Sequence, residues 1–184
     1  MASEDRLYEF EKSLKEIKSD IIGLSEVRRN GESLVRRRNG HYLYYFGETK
    51  GCRGTGFYKY INKNIMHNIS SIRGVNERIS TLKIEVNKGM NISVLQIYAP
   101  TLEADEKETL EFYRILEKTL HEEREYYNIV MGNWNAKVGS ENDNPQTVGK
   151  YGLGERNENG NKMIEFASRN NLKIANTFFS KNQN

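Results

Sequence analysis

The segment that decides the fold is RISTLKIEVNKGMNISVLQIY, residues 78–98. In its first half Leu82, Ile84 and Val86 alternate with polar residues, which predicts a strand with one buried face. The turn residues NKG (87–89) come next, and a second apolar run occupies residues 92–98. An alternating run, a short turn and another apolar run together predict a β-hairpin.

Helices and strands interleave on both sides of this hairpin. Apolar residues at helical spacing predict helices from Ser3 to about Ile17, from Asp105 to about Arg124, and over residues 162–169. Short apolar runs bounded by glycine or polar residues predict further strands over residues 21–24, 42–46, 55–60, 126–131 and 172–175. Such interleaving predicts an α/β or mixed α+β class with central sheets.

The composition fits one intracellular globular domain. A chain of 184 residues with 36% apolar residues suits a single domain, and no repeat or linker divides it, so we predict one domain over residues 1–184. Cys52 is the sole cysteine, which indicates a reducing compartment, nuclear or cytoplasmic. No apolar run approaches the ~20 residues that span a bilayer, so we expect no membrane partner. The net charge of +3 permits a polyanionic partner without requiring one.

Four of the predicted strands run directly into small polar groups. These groups are Ser25-Glu26, Tyr98-Ala99-Pro100-Thr101, Gly132-Asn133-Trp134-Asn135 and Asn176-Thr177. Sites collect at strand ends because a rigid sheet holds the loops that follow it. Strands also end in polar turns that have no function, so a single group indicates little. Four together, with a tyrosine and a lone glutamate among them, favour a site.

The same segments carry a family resemblance. In order along the chain they resemble the endonuclease domain of non-LTR retrotransposons, within the endonuclease/exonuclease/phosphatase superfamily. The motifs are IGLSEVR (22–28), IYAPT (97–101), MGNWNAKVG (131–139), YGLGERN (151–157) and ANTFF (175–179). The resemblance implies an α/β fold in which two sheets form a sandwich with outer helices. It also implies hydrolysis of phosphodiesters, usually as DNA nicking, with Mg²⁺ or Mn²⁺.

The resemblance further implies roles for single residues. Glu26 matches the metal ligand of the family, and a carboxylate oxygen suits a hard divalent cation. Tyr98 matches the tyrosine that contacts the scissile phosphate, and Asn135 matches an asparagine that helps to place this phosphate. The metal would act as a Lewis acid while an activated water attacks in line.

Three departures from the family pattern predict impaired cutting. Asn133 stands where the family has the aspartate that positions and deprotonates the water. An amide lacks that basicity, and loss of a general base costs about 10²–10⁴-fold in rate. The family also has an earlier strand with a Trp-Asn pair and later strands that lead to a Ser-Asp-His segment. We expect the earlier strand and the later strands to be missing here. We also expect none of His41, His67 and His121 to replace the histidine of the Ser-Asp-His segment. We therefore predict an incomplete sandwich of marginal stability.

An arginine-rich stretch offers a candidate surface for DNA. Its only acid is Glu32, and its arginines are Arg28, Arg29, Arg36, Arg37 and Arg38. Such a loop could grip DNA phosphates, although a solvated charged loop is an equally good interpretation. Arg156 and Asn176 are further candidates for contact with DNA. The glycine-rich residues 149–160 lack the Gly-Lys-Ser/Thr ending of a P-loop, so we expect no nucleotide cofactor.

The leading hypothesis is a monomeric, Mg²⁺-dependent endonuclease domain of retrotransposon origin whose activity on DNA is impaired. One alternative is a non-catalytic nucleic-acid-binding remnant that keeps the arginines. Another is a phosphodiesterase or phosphatase of the same superfamily that acts on a different substrate. The motif GNWNAKVG (132–139) resembles retrotransposon domains more than superfamily members that act on other substrates. A fragment without any role also stays open.

Overall fold

The computed structural model describes residues 4–14, 17, 19–48, 53–59, 68–141 and 144–180. The chain divides into two compact units, Met1–Tyr98 with Lys118–Asn133, and Ala99–Glu117 with Trp134–Asn184. The main elements in the described residues are α1 (Glu4–Ser13), β1 (Ile22–Ser25), β2 (Gly31–Arg36), β3 (Tyr42–Gly47), β4 (Thr55–Lys59), β5 (Ile69–Asn76), β6 (Ile79–Asn87), β7 (Met90–Tyr98), α2 (Glu106–Glu122), β8 (Tyr127–Asn133) and α3 (Glu158–Arg169).

The first unit is a sandwich of two sheets. The described strands form one antiparallel sheet in the order β1-β4-β3-β2 and a mixed sheet in the order β5-β6-β7-β8, where β7 and β8 are parallel. Both sheets contribute to one apolar cluster, with Tyr44 and Phe57 from the first and Leu82, Ile84 and Val94 from the second. These observations confirm the predicted α/β class with two sheets.

Helix α1 covers the other face of the first sheet. Because successive strand residues point to opposite faces, Leu43 and Tyr58 face away from the cluster that holds Tyr44 and Phe57. Both pack instead against Leu7 of α1, and Leu7 and Tyr58 are fully buried. The helix thus shields the outer side of this sheet from water.

The first helix is shorter than predicted. It ends at Ser13, and Ile17, which the helical spacing assigned to its apolar stripe, is 54% exposed. Ser3, the predicted start of the helix, lies outside the described residues. The acids Glu4 and Asp5 occupy its first turn, where the helix dipole favours negative charge.

The predicted hairpin is confirmed, and the structure adds two strands that the sequence pattern did not predict. β6 and β7 pair in an antiparallel arrangement across the turn at Lys88 and Gly89. The arginine-rich stretch, predicted as a loop, contains β2, which pairs along its length with β3. β5 pairs with β6 in the same way. Both added strands lie at sheet edges, where polar residues are tolerated and the apolar pattern is weak.

The second unit is built around α3. Its core contains Val138, Val148, Ile164, Ala167 and Ile174. The predicted strand over residues 172–175 is wrong. In the described residues Ile174 forms an isolated bridge to Val148, and a 3₁₀ helix (Ala175–Thr177) follows at once. The backbone N–H of Leu172 still bonds to the carbonyl of Ala167, so this segment closes the end of α3 instead of extending along a sheet.

Candidate functional site

Three strands of the first unit end side by side. β7 and β8 run parallel, and their register pairs Tyr98 with Asn133 at the carboxyl ends. The hydroxyl of Ser25, at the end of β1, donates to the carbonyl oxygen of Ile97 at 3.2 Å. Glu26 therefore follows β1 where Tyr98 and Asn133 end the neighbouring strands.

A buried glutamine joins β1 to β7 below this end. The side chain of Gln96 is 1% exposed, and its Nε2 donates to Ser25 Oγ at 3.0 Å. Gly23 leaves the space that the amide occupies, since a Cβ at residue 23 would lie 1.8 Å from Gln96 Oε1. The close approach of the two strands thus depends on a glycine within the IGLSEVR motif.

The carboxylate of Glu26 is held by two neighbours. Arg28 Nη2 donates to Glu26 Oε2 at 2.6 Å, and the hydroxyl of Tyr98 also donates to this carboxylate. The hydrogen bond from Arg28, and then that from Tyr98, lowers the pKa of Glu26 below its ordinary value of 4.5. The Glu26 side chain is 40% exposed. It is therefore an anion at neutral pH that solvent ions can reach.

Tyr98 lies among positive charges. The guanidinium of Arg78 is 5.4 Å from the centre of the Tyr98 ring, and Arg78 Nη1 donates to the Tyr98 carbonyl oxygen at 3.0 Å. Burial, followed by the Glu26 carboxylate, raises the pKa of Tyr98, whereas Arg78 and Arg53 act in the opposite direction. The phenol thus stays protonated at neutral pH and can donate a hydrogen bond to an anion.

Arg53 and Arg78 were not among the residues predicted from sequence. Arg78 is 8% exposed, and its backbone carbonyl accepts a hydrogen bond from the Tyr98 N–H at 2.9 Å. The hairpin that the sequence predicts brings Arg78 and Tyr98 close together, at the open ends of its two strands. A register shift between Glu85 and Asn87 moves the pairing by one residue, and no local pattern of residues predicts this bulge. Arg53 lies just before β4 and forms an ion pair with Glu77 at 2.7 Å.

Asn133 is the exposed last residue of β8. It lies beside Tyr98 in the register of β7 and β8. An amide can donate and accept hydrogen bonds, but it cannot take up a proton near neutral pH. The residue type at this strand end can therefore orient a water but cannot activate it as a base.

Asn135 belongs to the second unit, where it fixes the backbone of two loops. It adopts a left-handed conformation with φ of 47°, and its Nδ2 donates to the carbonyl oxygen of Ala99 at 2.7 Å. Buried Asn159 donates to the carbonyl oxygens of both Asn135 and Pro100 at 3.1 Å. Asn135 thus has a structural role in these loops, and its phosphate-placing role stays a prediction.

The other two candidates of the second unit differ in exposure. Arg156 is largely buried: its Nε donates to the Val138 carbonyl at 3.0 Å, and it pairs with Glu141 at 3.4 Å. These contacts brace the loop before α3. Asn176 is exposed within the 3₁₀ helix. Of the two, Asn176 presents the more accessible side chain to a partner.

Among the described residues, three of the five clustered arginines form ion pairs and two do not, and Arg28 is one of the three through its pair with Glu26. Arg29 pairs with Glu4 at 2.7 Å, and Arg37 pairs with Glu4 at 2.9 Å and with Glu11 at 2.8 Å. These two arginines attach β2 and the residues beside it to α1. Arg36 and Arg38 are exposed, and among the described residues they form no ion pair. For these two arginines the predicted contact with DNA stays a prediction.

Glu26 offers a divalent cation one carboxylate as a ligand. In the part of the chain that the structure describes, no three His, Cys, Asp or Glu side chains gather to hold a metal ion. Mg²⁺ is nevertheless often bound through one or two carboxylates, with waters and a substrate phosphate as the other ligands. The Arg28 guanidinium acts as a stand-in cation against Glu26 Oε2. The exposed carboxylate of Glu26 can therefore act as one such ligand, and its metal-binding role stays a prediction.

Comparison with curated proteins gives two similar sequences. This chain is 35% identical over 169 residues to craniofacial development protein 2 of Bos taurus, covering 91% of the chain and 28% of that protein. It is 36% identical over 166 residues to the protein of the same name from Tragulus javanicus, covering 90% and 28%. The chain is similar to craniofacial development protein 2.

The chain spans little more than a quarter of the length of these curated relatives. The similarity to proteins of this name does not test the retrotransposon origin that the ordered motifs indicate, and that origin stays a prediction. No family model matches the sequence. Among the described residues, no helix combines the length and apolar character that a membrane crossing requires.

Proposed function

We propose that the chain is a phosphodiester-hydrolysing endonuclease domain of the endonuclease/exonuclease/phosphatase superfamily, of non-LTR retrotransposon origin, with impaired cutting of DNA. The observation that carries the proposal is the convergence of Glu26, Tyr98 and Asn133 at one end of the sandwich. These residues come from three motifs that are far apart in sequence. Their meeting at one place supports a shared chemical task.

The charges of this end favour an anionic substrate such as a phosphodiester. The Tyr98 hydroxyl is a protonated donor that can turn from Glu26 to a phosphate oxygen. Arg78 below its ring, and Arg53 nearby, add positive charge that attracts such an anion. Mg²⁺ or Mn²⁺ on Glu26 would supply Lewis-acid stabilisation of the charge that develops on the phosphate.

Asn133 accounts for the impaired cutting in this proposal. Its amide can hold a water by hydrogen bonding, but the amide itself cannot receive the proton of that water. Loss of a general base lowers rates by about 10²–10⁴-fold. Substrate binding does not need this base, so the domain is expected to bind better than it cuts.

A plasmid-nicking assay with Mg²⁺ tests the proposal. We expect slow nicking by the unaltered chain and a rate about 100-fold higher for Asn133→Asp, since the carboxylate restores a base. Adding Glu26→Gln to that variant should abolish the gain. Asn161→Asp, which adds the same charge on an exposed face of α3, is the matched control and should leave the rate unchanged.

Two results would contradict the proposal. If Asn133→Asp gives no nicking at all, the strand ends do not form a hydrolytic site. If the unaltered chain already nicks as fast as Asn133→Asp, an amide suffices at this position and the proposal of impaired cutting is wrong.

Binding of DNA without cleavage is the second candidate function. It is favoured by Arg36 and Arg38, which are exposed and without ion pairs among the described residues. Arginines that neutralise phosphates give affinity that falls steeply with salt. In fluorescence anisotropy with a labelled DNA duplex, the double variant Arg36→Gln/Arg38→Gln should bind more weakly than Arg114→Gln. Absence of binding at low salt would remove this candidate.

A further inference from the structure

The ion pair between Glu26 and Arg28 is imposed by the backbone. Both residues adopt left-handed conformations, with φ of 55° and 56°. Between them Val27 is fully buried, and its N–H donates to the carbonyl of Gly54 at 3.1 Å. The N–H of Arg28 donates in turn to the carbonyl of Arg53 at 2.9 Å. With Val27 held in the core, the two charged side chains project together towards solvent.

Arg28 occupies a position that a metal on Glu26 would need. Its Nη2 lies 2.6 Å from Glu26 Oε2, within the distance at which a cation contacts a carboxylate. A divalent ion on the same oxygen would repel the guanidinium at close range. Both side chains are about half exposed, at 40% for Glu26 and 49% for Arg28, so the guanidinium has room to leave.

We propose that Arg28 is a displaceable counter-ion of Glu26, which must release the carboxylate before a divalent cation binds there. A phosphodiester draws the freed guanidinium to its own oxygens, so metal and nucleic acid bind cooperatively. The exchange replaces one ion pair by two, carboxylate with metal and guanidinium with phosphate. This inference rests on the proposed function, since it takes Glu26 as the metal ligand.

Mn²⁺ binding by the full chain tests the exchange without any measurement of activity. Free Mn²⁺ is followed by electron paramagnetic resonance in titrations of the unaltered chain, Arg28→Gln, Glu26→Gln and Arg114→Gln. Arg114→Gln is the matched control, because Arg114 also pairs with a glutamate at 2.6 Å on an exposed surface. An exposed ion pair contributes up to about 1 kcal/mol, so Arg28→Gln should bind Mn²⁺ about fivefold more tightly than this control.

A second titration, with a short DNA duplex present, tests the coupling. The duplex should tighten Mn²⁺ binding by the unaltered chain and have a smaller effect on Arg28→Gln, because coupling between two ligands is reciprocal and passes through this side chain. Equal Mn²⁺ affinity of Arg28→Gln and Arg114→Gln would overturn the exchange, as would an equal effect of the duplex on the unaltered chain and on Arg28→Gln.

The outcome for Glu26→Gln separates this inference from the function on which it rests. If Mn²⁺ binds the unaltered chain and Glu26→Gln weakens it, Glu26 is the ligand, and only the Arg28 comparison decides the exchange. If no variant binds Mn²⁺, or if Glu26→Gln binds as well as the unaltered chain, the metal-dependent function fails and the exchange fails with it.

Discussion

Among single residues, Gly132 controls how closely β8 approaches β7 next to the candidate site. Its φ is 135°, which L side chains rarely adopt. A Cβ at this residue would also lie 2.1 Å from the carbonyl oxygen of Ile97. Residue 132 thus needs a glycine both for its φ angle and for its close contact with Ile97. It lies directly before Asn133 at the end of β8.

Replacing Gly132 by alanine should therefore destabilise the fold strongly. We expect Gly132→Ala to lower the free energy of unfolding by about 3 kcal/mol, from backbone strain and the clash with a rigid carbonyl. Gly40→Ala is the control, since Gly40 has φ of 86° but nothing lies within 4 Å of its added Cβ. It should cost about 1–2 kcal/mol. Urea unfolding followed by circular dichroism measures both, and equal losses would contradict the steric argument.

Between elements, a network of ion pairs joins the residues after α2 to the second sheet. Glu123 is 7% exposed, accepts hydrogen bonds from Arg73 and lies 3.0 Å from Lys83 Nζ. Lys83 also pairs with Glu125 at 3.1 Å, and Asn91 Nδ2 donates to Glu125 at 3.1 Å. The network therefore connects β5, β6 and β7 with the segment that leads into β8.

Neutralising Glu123 tests the importance of this connection. Glu123→Gln leaves two cations facing an amide, and we expect a loss of about 2 kcal/mol in the free energy of unfolding. This is less than for a fully buried pair, because Arg73 is 44% exposed. Glu122→Gln is the neighbouring control: Glu122 is 52% exposed and lies 3.7 Å from Lys118, so its loss should stay within about 0.5 kcal/mol. Similar losses in both variants would show that the network contributes little.

For the molecule as a whole, several shifted pKa values define a range of maximal stability. Arg28 lowers the pKa of Glu26, and burial lowers the pKa of His41 from its ordinary 6.5. Burial raises the pKa of Glu123, but hydrogen bonds from Arg73 and Lys83 outweigh this and hold it below 4.5. Below these values the unfolded chain binds more protons than the folded one, so stability is lost as pH falls.

The alkaline limit comes from phenols whose pKa burial raises, and Tyr58 is one of several, with Tyr44, Tyr98 and Tyr113. Burial raises the pKa of Tyr58 from 10.0 to about 12. Above pH 10 the unfolded chain loses a proton that the folded chain retains, so the associated stability is present below pH 10 and disappears as pH rises towards 12.

We therefore expect the free energy of unfolding to be greatest between about pH 6.5 and pH 10 and to fall on both sides. Urea unfolding across this range measures it. Tyr58→Phe should weaken the alkaline decline, whereas Tyr8→Phe, at a residue 68% exposed, should leave it unchanged. A stability that stays constant from pH 8 to pH 12 would contradict the assignment.

Local patterns in the sequence were sufficient to predict the helices and strands that have strong periodicity or a clear capping residue. The alternation before Gly89 predicts β6, and the apolar run after it predicts β7. Asp105 precedes α2 and caps it as expected, since its side chain accepts a hydrogen bond from the Glu108 N–H at 2.6 Å. These features depend on residues close together in the chain, whose backbone preferences can be recognised without their partners. Three of the four polar groups, those with Glu26, Tyr98 and Asn133, lie together at strand ends, whereas the predicted strand before Asn176 is wrong. Their role as a site stays a prediction.

The tertiary structure alone decided which distant groups meet. Arg78 reaches Tyr98 because a bulge shifts the hairpin register, and β2 forms because β3 offers it an edge. The pairing of Arg28 with Glu26 follows from two left-handed residues on either side of buried Val27. Register, edge pairing and unusual backbone angles are selected by the packing of the whole unit, since several local conformations have similar energy until their neighbours are in place.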